Sequence, residues 1–256
     1  MRNFLFKIKY DGSAFHGWQI QPNAFSVQQA VKESVERIFS QNVTVNGCSR
    51  TDAGVHANEF CFNCKIETDM PCQRIITALN AVLSDEAVIF YCCEVPLDFH
   101  ARFDCKGKEY VYLIDNTPYG DPFLRKRAYH YKYDIDCDFL DEQAKDFVGT
   151  HDFAAFCASG SSVSTTVRTV YSFDVARKGD KVEFKVRGDG FLYNMVRIMV
   201  GTLLDINRGK LRKGCIPEII NSKDRNNAGV TAVADGLYLN RVFYGEIKNE
   251  QIEETE

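Results

Sequence analysis

Two hydrophobic periods alternate along the first 95 residues of this 256-residue chain, and together they leave few folds open. Phe4, Phe6 and Ile8 alternate with Leu5, Lys7 and Lys9, the period-two pattern of a strand. Ser26 followed three residues later by Gln29 is a capping box, and Val27, Ala30, Val31, Ser34, Val35 and Ile38 continue at helical spacing. Val43–Cys48 and Phe60–Ile66 read as a second and a third strand. Pro71 suits the first turn of a helix that carries Ile75, Leu79 and Val82, and Val88–Val95 reads as a fourth strand. The order β-α-β-β-α-β is the ferredoxin-like split, which is also the topology of RNA-recognition motifs.

The second half repeats the rhythm more loosely. Lys108, Tyr110, Tyr112 and Ile114 share one face of a strand. Asp136 caps a helix carrying Phe139, Leu140, Ala144, Phe147 and Val148, closed by Gly149. Residues 167–176 and 181–186 pair as a hairpin across Lys178-Gly179-Asp180. Gly190–Arg197 opens a helix that continues through Met199, Leu203 and Ile206, a short helix follows at Cys215–Asn221, and a last strand runs from Gly236 to Ile247. This half reads as a diverged copy of the first, with a site in the cleft between them.

Composition excludes several classes. At 45% hydrophobic the chain is globular, and no apolar run approaches the roughly 18 residues a membrane span needs. The N-terminus enters a strand without a signal-peptide layout, so the cytoplasm is the default expectation. Net charge is −4, but residues 246–256 carry five Glu and one Lys, so the rest of the chain is neutral. Basic residues gather at Lys106 and Lys108, at Arg125-Lys126-Arg127, and from Arg208 to Lys213. Such clusters suit either solvated faces or phosphates. Arg125 to Tyr131 interleaves cations with aromatics, which fits base stacking as well as an ordinary exposed strand. Cys61 and Cys64 alternate out of phase on a strand, so they read as core thiols rather than metal ligands.

The densest chemistry lies in Cys48-Ser49-Arg50-Thr51-Asp52-Ala53-Gly54-Val55-His56, a loop between two strands. In extended backbone Arg50 and Asp52 share a face, and a guanidinium so close keeps a carboxylate ionised and aimed. Asp52 is then a nucleophile, a general base, or one partner of a loop-stapling ion pair. Arg197 falls in the first turn of a helix, where a cation opposes the dipole, which predicts an anionic partner.

Arg50-Thr51-Asp52-Ala53-Gly54-Val55-His56-Ala57 resembles the signature of the tRNA pseudouridine synthase A family. Other segments resemble it too: Tyr10-Asp11-Gly12 with Phe15, Gly17, Trp18 and Gln19; Ala101-Arg102-Phe103 before Lys108-x-Tyr110-x-Tyr112; Thr166-Val167-Arg168; and Gly229–Ala232. Cys105, Glu109 and Val233-Ala234-Asp235 depart from the family pattern. The resemblance implies an α+β fold of two ferredoxin-like halves, with mostly antiparallel sheets joined around a central basic cleft. Residues 1–104 form the half with the Asp loop, residues 105–248 complete the cleft, and residues 249–256 are an acidic tail. It implies isomerisation of uridine to pseudouridine in the anticodon stem-loop of tRNA, at about positions 38 to 40, by a cytoplasmic homodimer without a cofactor. Asp52 would attack ribose C1′ or uracil C6, helped by Arg50 and Arg197, with Tyr110 against the base. His16, Trp18, Lys108 and Arg168 would join Tyr110 in holding substrate, and Arg50 or the His16 loop would fill the space a flipped base leaves. The alternative is a non-catalytic RNA-binding module of the same fold class.

Overall fold

The computed structural model describes residues 1–160 and 163–245. The acidic tail, the end of the expected last strand and part of the Cys157–Ser162 loop lie outside the described residues.

Strand β1 (Arg2–Tyr10) buries Phe4, Phe6 and Ile8 and turns Lys7 and Lys9 outward, where their ammonium groups lie over the Tyr91 and Phe90 rings. Helix α1 (Val27–Phe39) starts where the capping box places it: the Ser26 hydroxyl accepts from the Gln29 N–H at 3.3 Å. The expected strand Val43–Cys48 shrinks to β2 (Asn46–Gly47). The reason is competition for its backbone. Glu36 accepts from the Val43 N–H and Gln28 donates to the Val45 carbonyl, so side chains of α1 take the groups a ladder would use. Strand β3 (His56–Ile66), helix α2 (Cys72–Asn80) and strand β4 (Ala87–Val95) complete the first half.

The second half holds β5 (Gly107–Asp115), the short β6 (Tyr129–His130), α3 (Cys137–Ala144), β7 (Gly149–Asp152), β8 (Val167–Lys178), β9 (Lys181–Gly188), α4 (Met195–Asn207), α5 (Ile216–Ser222) and β10 (Leu237–Phe243). Asp136 caps α3, but that helix stops at Ala144 and tightens into a 3₁₀ turn to Phe147, short of the expected end at Gly149. The last strand stops at Phe243.

Among the described residues the ten strands form one continuous sheet rather than two joined ones. The main path runs β4-β1-β3-β10-β5-β9-β8-β7, with β2 beside β3 and β6 beside β5. Among the described residues seven of the nine pairings are antiparallel, and β5–β6 is parallel. The β3–β10 junction between the halves is parallel, with Tyr238 opposite His56 and Leu239 opposite Ala57. The junction therefore opens at the last residues of the conspicuous loop, and whatever that loop carries is delivered to the seam. Helix α4 reaches the same seam from the other half: a Cβ on Gly201 would overlap the Val230 carbonyl, so the 229–232 segment can lie directly on the helix.

Candidate active site

Three contacts hold the Asp52 loop. The Thr51 carbonyl accepts from the Trp18 N–H at 3.1 Å, the Thr51 hydroxyl meets the Tyr10 phenol at 2.9 Å, and the Gly54 N–H donates to the Phe15 carbonyl at 3.4 Å. Gly17, at φ +83°, lets its backbone lie on the Thr51 carbonyl, where any side chain would collide. Ala53 and Gly54 turn the chain directly after Asp52, with Gly54 at φ +81°.

Arg50 and Asp52 do not meet. Arg50 is exposed and makes no ion pair among the described residues, so the expected Arg50–Asp52 pair is not what the chain builds. Arg197 takes its place. Its Nη1 donates to Asp52 Oδ2 at 3.1 Å and to Asn194 Oδ1 at 2.8 Å, and its Nε donates to the Ala232 carbonyl at 2.7 Å. With three acceptors around it, the guanidinium is fixed before any substrate arrives. Asn194 precedes α4 in the left-handed region at φ 60°, a conformation asparagine tolerates better than most residues. Its amide oxygen is thereby free for Arg197 rather than spent on capping the helix.

Among the described residues Asp52 makes only that one side-chain bond, and its side chain remains 26% exposed. Burial pushes its carboxyl pKa above the ordinary value, and Arg197 only partly offsets the rise. A lowered pKa, expected from a neighbouring cation, is thus reversed: a single 3.1 Å contact does not replace the water the carboxylate has lost. The second oxygen, Oδ1, has no partner among the described residues. It is the atom left to react.

Tyr110 projects from β5 next to this group. Its ring is buried and meets the Phe191 ring edge-on at 5.2 Å, and the Ser49 hydroxyl lies at its phenol. Burial, reinforced by the Asp52 charge, pushes the phenol pKa well up and keeps it protonated. Lys108 is half-buried on the same face of β5, near the Cys48 thiol. Arg168 lies alongside Gly190 with its guanidinium on the Thr165 and Val167 carbonyls, flanking the segment that carries Phe191 and Asn194. His16 is exposed on the loop that covers Thr51. Trp18 goes the other way. At 2% exposure it stacks on Phe60 at 3.9 Å and lies over Gly47, so its indole offers no open face to a base.

The structure thus brings Asp52, Arg197 and Tyr110 together, sets Lys108 beside Cys48 and Arg168 beside Gly190, and leaves Arg50 and Trp18 out of direct contact with the carboxylate. Asn194, Phe191 and Ser49 escaped sequence reading. The only signal for Asn194 is an asparagine just ahead of a helical stripe. Val233-Ala234-Asp235 sits on the seam as well, where the Val233 carbonyl accepts from the Tyr112 phenol at 2.8 Å and Ala234 abuts Gly54. A separate concavity of about 280 Å³ opens beyond His56, walled by Lys9, Asp11, His56, Glu86, Arg127 and Tyr238, and does not reach Asp52. Among the described residues no cluster of three His, Cys, Asp or Glu side chains is placed to hold a metal, and the ten cysteines are free thiols.

The family model described as tRNA pseudouridine synthase matches residues 7–104 and 143–245, on both sides of the seam. The chain belongs to the tRNA pseudouridine synthase family. It is similar to the tRNA pseudouridine synthase A of Acetivibrio thermocellus, with 46% identity over 244 residues covering 95% of this chain and all of that relative. The proteins of the same name from Thermoanaerobacter sp. and Ruminiclostridium cellulolyticum are 41% and 43% identical, each again over 95% of this chain and 100% of the relative. A solved Cbf5-Nop10-Gar1 complex matches more loosely, at 15% identity and a TM-score of 0.41, over 93% of this chain and 49% of that one.

Proposed function

We propose that the chain isomerises uridine to pseudouridine in the anticodon stem-loop of tRNA, at about positions 38 to 40, with Asp52 as the nucleophile and no cofactor. Asp52 Oδ1 attacks ribose C1′ or uracil C6. The N1–C1′ bond breaks, the uracil turns, and C5 bonds to C1′. C5 then loses its proton and N1 gains one, so the reaction needs no oxidant or reductant. Arg197 holds the carboxylate at the seam, and Tyr110 packs on the base with a neutral hydroxyl. Tyr110 is neutral while Asp52 is charged; once that charge is consumed in a covalent bond the phenol ionises more readily, so it can pass its proton to N1 and, as phenolate, take the one from C5.

The observation that carries this reading is the unpaired Oδ1 of a carboxylate pinned by Arg197 beside Tyr110, in a chain of this family. The reading of two ferredoxin-like halves, residues 1–104 and 105–248, draws support from strand order: β4-β1-β3-β2 in one and β10-β5-β9-β8 in the other place equivalent elements in equivalent positions. The homodimer belongs to the same proposal, with light scattering expected to give about twice the 29.1 kDa chain mass. The test is a tRNA transcript whose uridines at about positions 38 to 40 are changed to cytidine. Wild-type protein should form pseudouridine on the unchanged transcript and none on the altered one. Equal yields on both would remove the site assignment.

A further inference from the structure

The segment between β5 and β6 is built with care and then left in solvent. Asp115 accepts from the Thr117 N–H and hydroxyl through Oδ1 and from the Asp121 N–H through Oδ2, and the Asn116 amide donates to the Tyr131 and Tyr133 carbonyls. These bonds fix the root of a loop that exposes Tyr119 at 96% and Phe123 at 84%, followed by exposed Arg125 and Lys126. Two large aromatic side chains that bury almost nothing contribute little to folding. Arg125 and Lys126 make no ion pair among the described residues. The loop also lies in the stretch between the two segments that match the family model.

The far end of this loop is clasped to the active-site seam. His56 Nε2 faces the Lys126 carbonyl at 2.8 Å and must carry the ring hydrogen, which leaves Nδ1 to accept from the Gly12 N–H at 3.1 Å. Lys126 is held at φ 61°, unusual for a residue with a side chain. The Tyr238 phenol donates to the Arg127 carbonyl at 2.6 Å, and the Arg127 guanidinium reaches Asp11 at 3.1 Å. Asp11 also faces His56 Nδ1 at 3.3 Å, and the Tyr238 ring stacks on the imidazole at 4.6 Å. Only Ala53, Gly54 and Val55 stand between Asp52 and His56, a span of at most about 14 Å.

We propose that residues 119–127 form an RNA-docking arm, in which Phe123 and Tyr119 stack on an unpaired base, Arg125 and Lys126 neutralise phosphates, and His56 is the positioning residue that holds the arm in register with Asp52. The proposal rests on the tRNA reading above and adds the surface through which tRNA is grasped. Unpaired cations beside exposed rings are the chemistry of single-stranded or looped RNA, since stacking tolerates any base and phosphates supply the charge.

Kinetics on an unmodified tRNA transcript test it. Phe123→Ala and Arg125→Ala should each raise KM about tenfold, with the loss in KM rather than kcat. Arg125→Ala should also flatten the log–log salt dependence of binding by about 0.7 to 0.9. His56→Asn keeps an acceptor for Gly12 and loses the donor to Lys126, so it should raise KM as the arm variants do. His56→Gln, whose amide nitrogen takes the Nε2 position, should bring KM back towards wild type. Should His56→Asn fail to fold, Tyr238→Phe tests the clasp through the Arg127 carbonyl and should raise KM by a smaller factor. KM within twofold of wild type in both Phe123→Ala and Arg125→Ala would overturn the proposal. So would a Phe123→Ala protein whose mass in solution changes while KM does not, since the ring would then face a second copy of the chain. If the wild type forms no pseudouridine at all, the tRNA reading has failed rather than the arm.

Discussion

Two carboxylate–arginine pairs, both at least partly buried, stand on either side of β5, and they behave in opposite ways. Glu109, with its side chain 5% exposed, accepts from Arg187 at 2.8 Å and from the Asn240 amide at 2.6 Å, one donor to each oxygen. Those bonds outweigh burial and hold its carboxyl below the ordinary glutamate range. Asp52, beside Tyr110 on the other face, has among the described residues one donor at 3.1 Å and an idle oxygen, and its carboxyl is pushed up. The chemistry of the partners is the same, and the number of donors decides the outcome. A fully satisfied pair is mortar. An under-satisfied one is reactive, and the fold tolerates it because Arg197 is itself anchored to Asn194 and Ala232.

Charge removal should separate the two pairs most sharply. Glu109→Gln strands Arg187 and should cost about 3 kcal/mol in urea denaturation, while pseudouridine formation per folded molecule changes little. Asp52→Asn should leave stability unchanged or raised and lower the rate by about 10⁴-fold or more. If both variants lose stability equally, the contrast fails. Next in size, Arg197→Ala frees the Asp52 carboxylate to wander and should lower kcat about 100-fold, with single-turnover rates as the readout.

The pH dependence of the two pairs has opposite signs. The folded value for Asp52 lies above its unfolded one, so its contribution to stability is present in acid and lost as pH rises through the folded value. Glu109 contributes above its unfolded value and loses that contribution as pH falls through its depressed one. Denaturation from pH 3 to 7 should therefore show the Asp52→Asn protein gaining on wild type as pH rises, and the Glu109→Gln protein falling behind. The acid limb of the rate profile should have its midpoint above the ordinary aspartate value of 3.8. Smallest of all, Tyr110→Phe removes one hydroxyl and should lower the rate about tenfold or less. An unchanged rate would confine Tyr110 to stacking.

Much of the fold was legible because period and capping agree with tertiary packing, as at Ser26 and Asp136. The strand expected at Val43–Cys48 failed where side chains of α1 captured its backbone, an interaction between distant segments that periodicity does not encode. At the site, the mismatch of Arg197 with its helix dipole pointed to an anionic partner, and the structure places Asp52 there. Arg50 misled because its spacing assumes an extended strand, whereas residues 50–52 lie in no strand, Arg50 is exposed and Arg197 holds the carboxylate. Trp18, expected among the residues that hold substrate, is instead consumed in packing under the Asp52 loop.

The central claim is that Asp52 starts the bond exchange, and tritium release from a tRNA labelled at uridine C5 measures it most directly. Asp52→Ala should release no tritium above background while binding the same tRNA within a few-fold of wild type. Release within a few-fold of wild type from that variant would contradict the account.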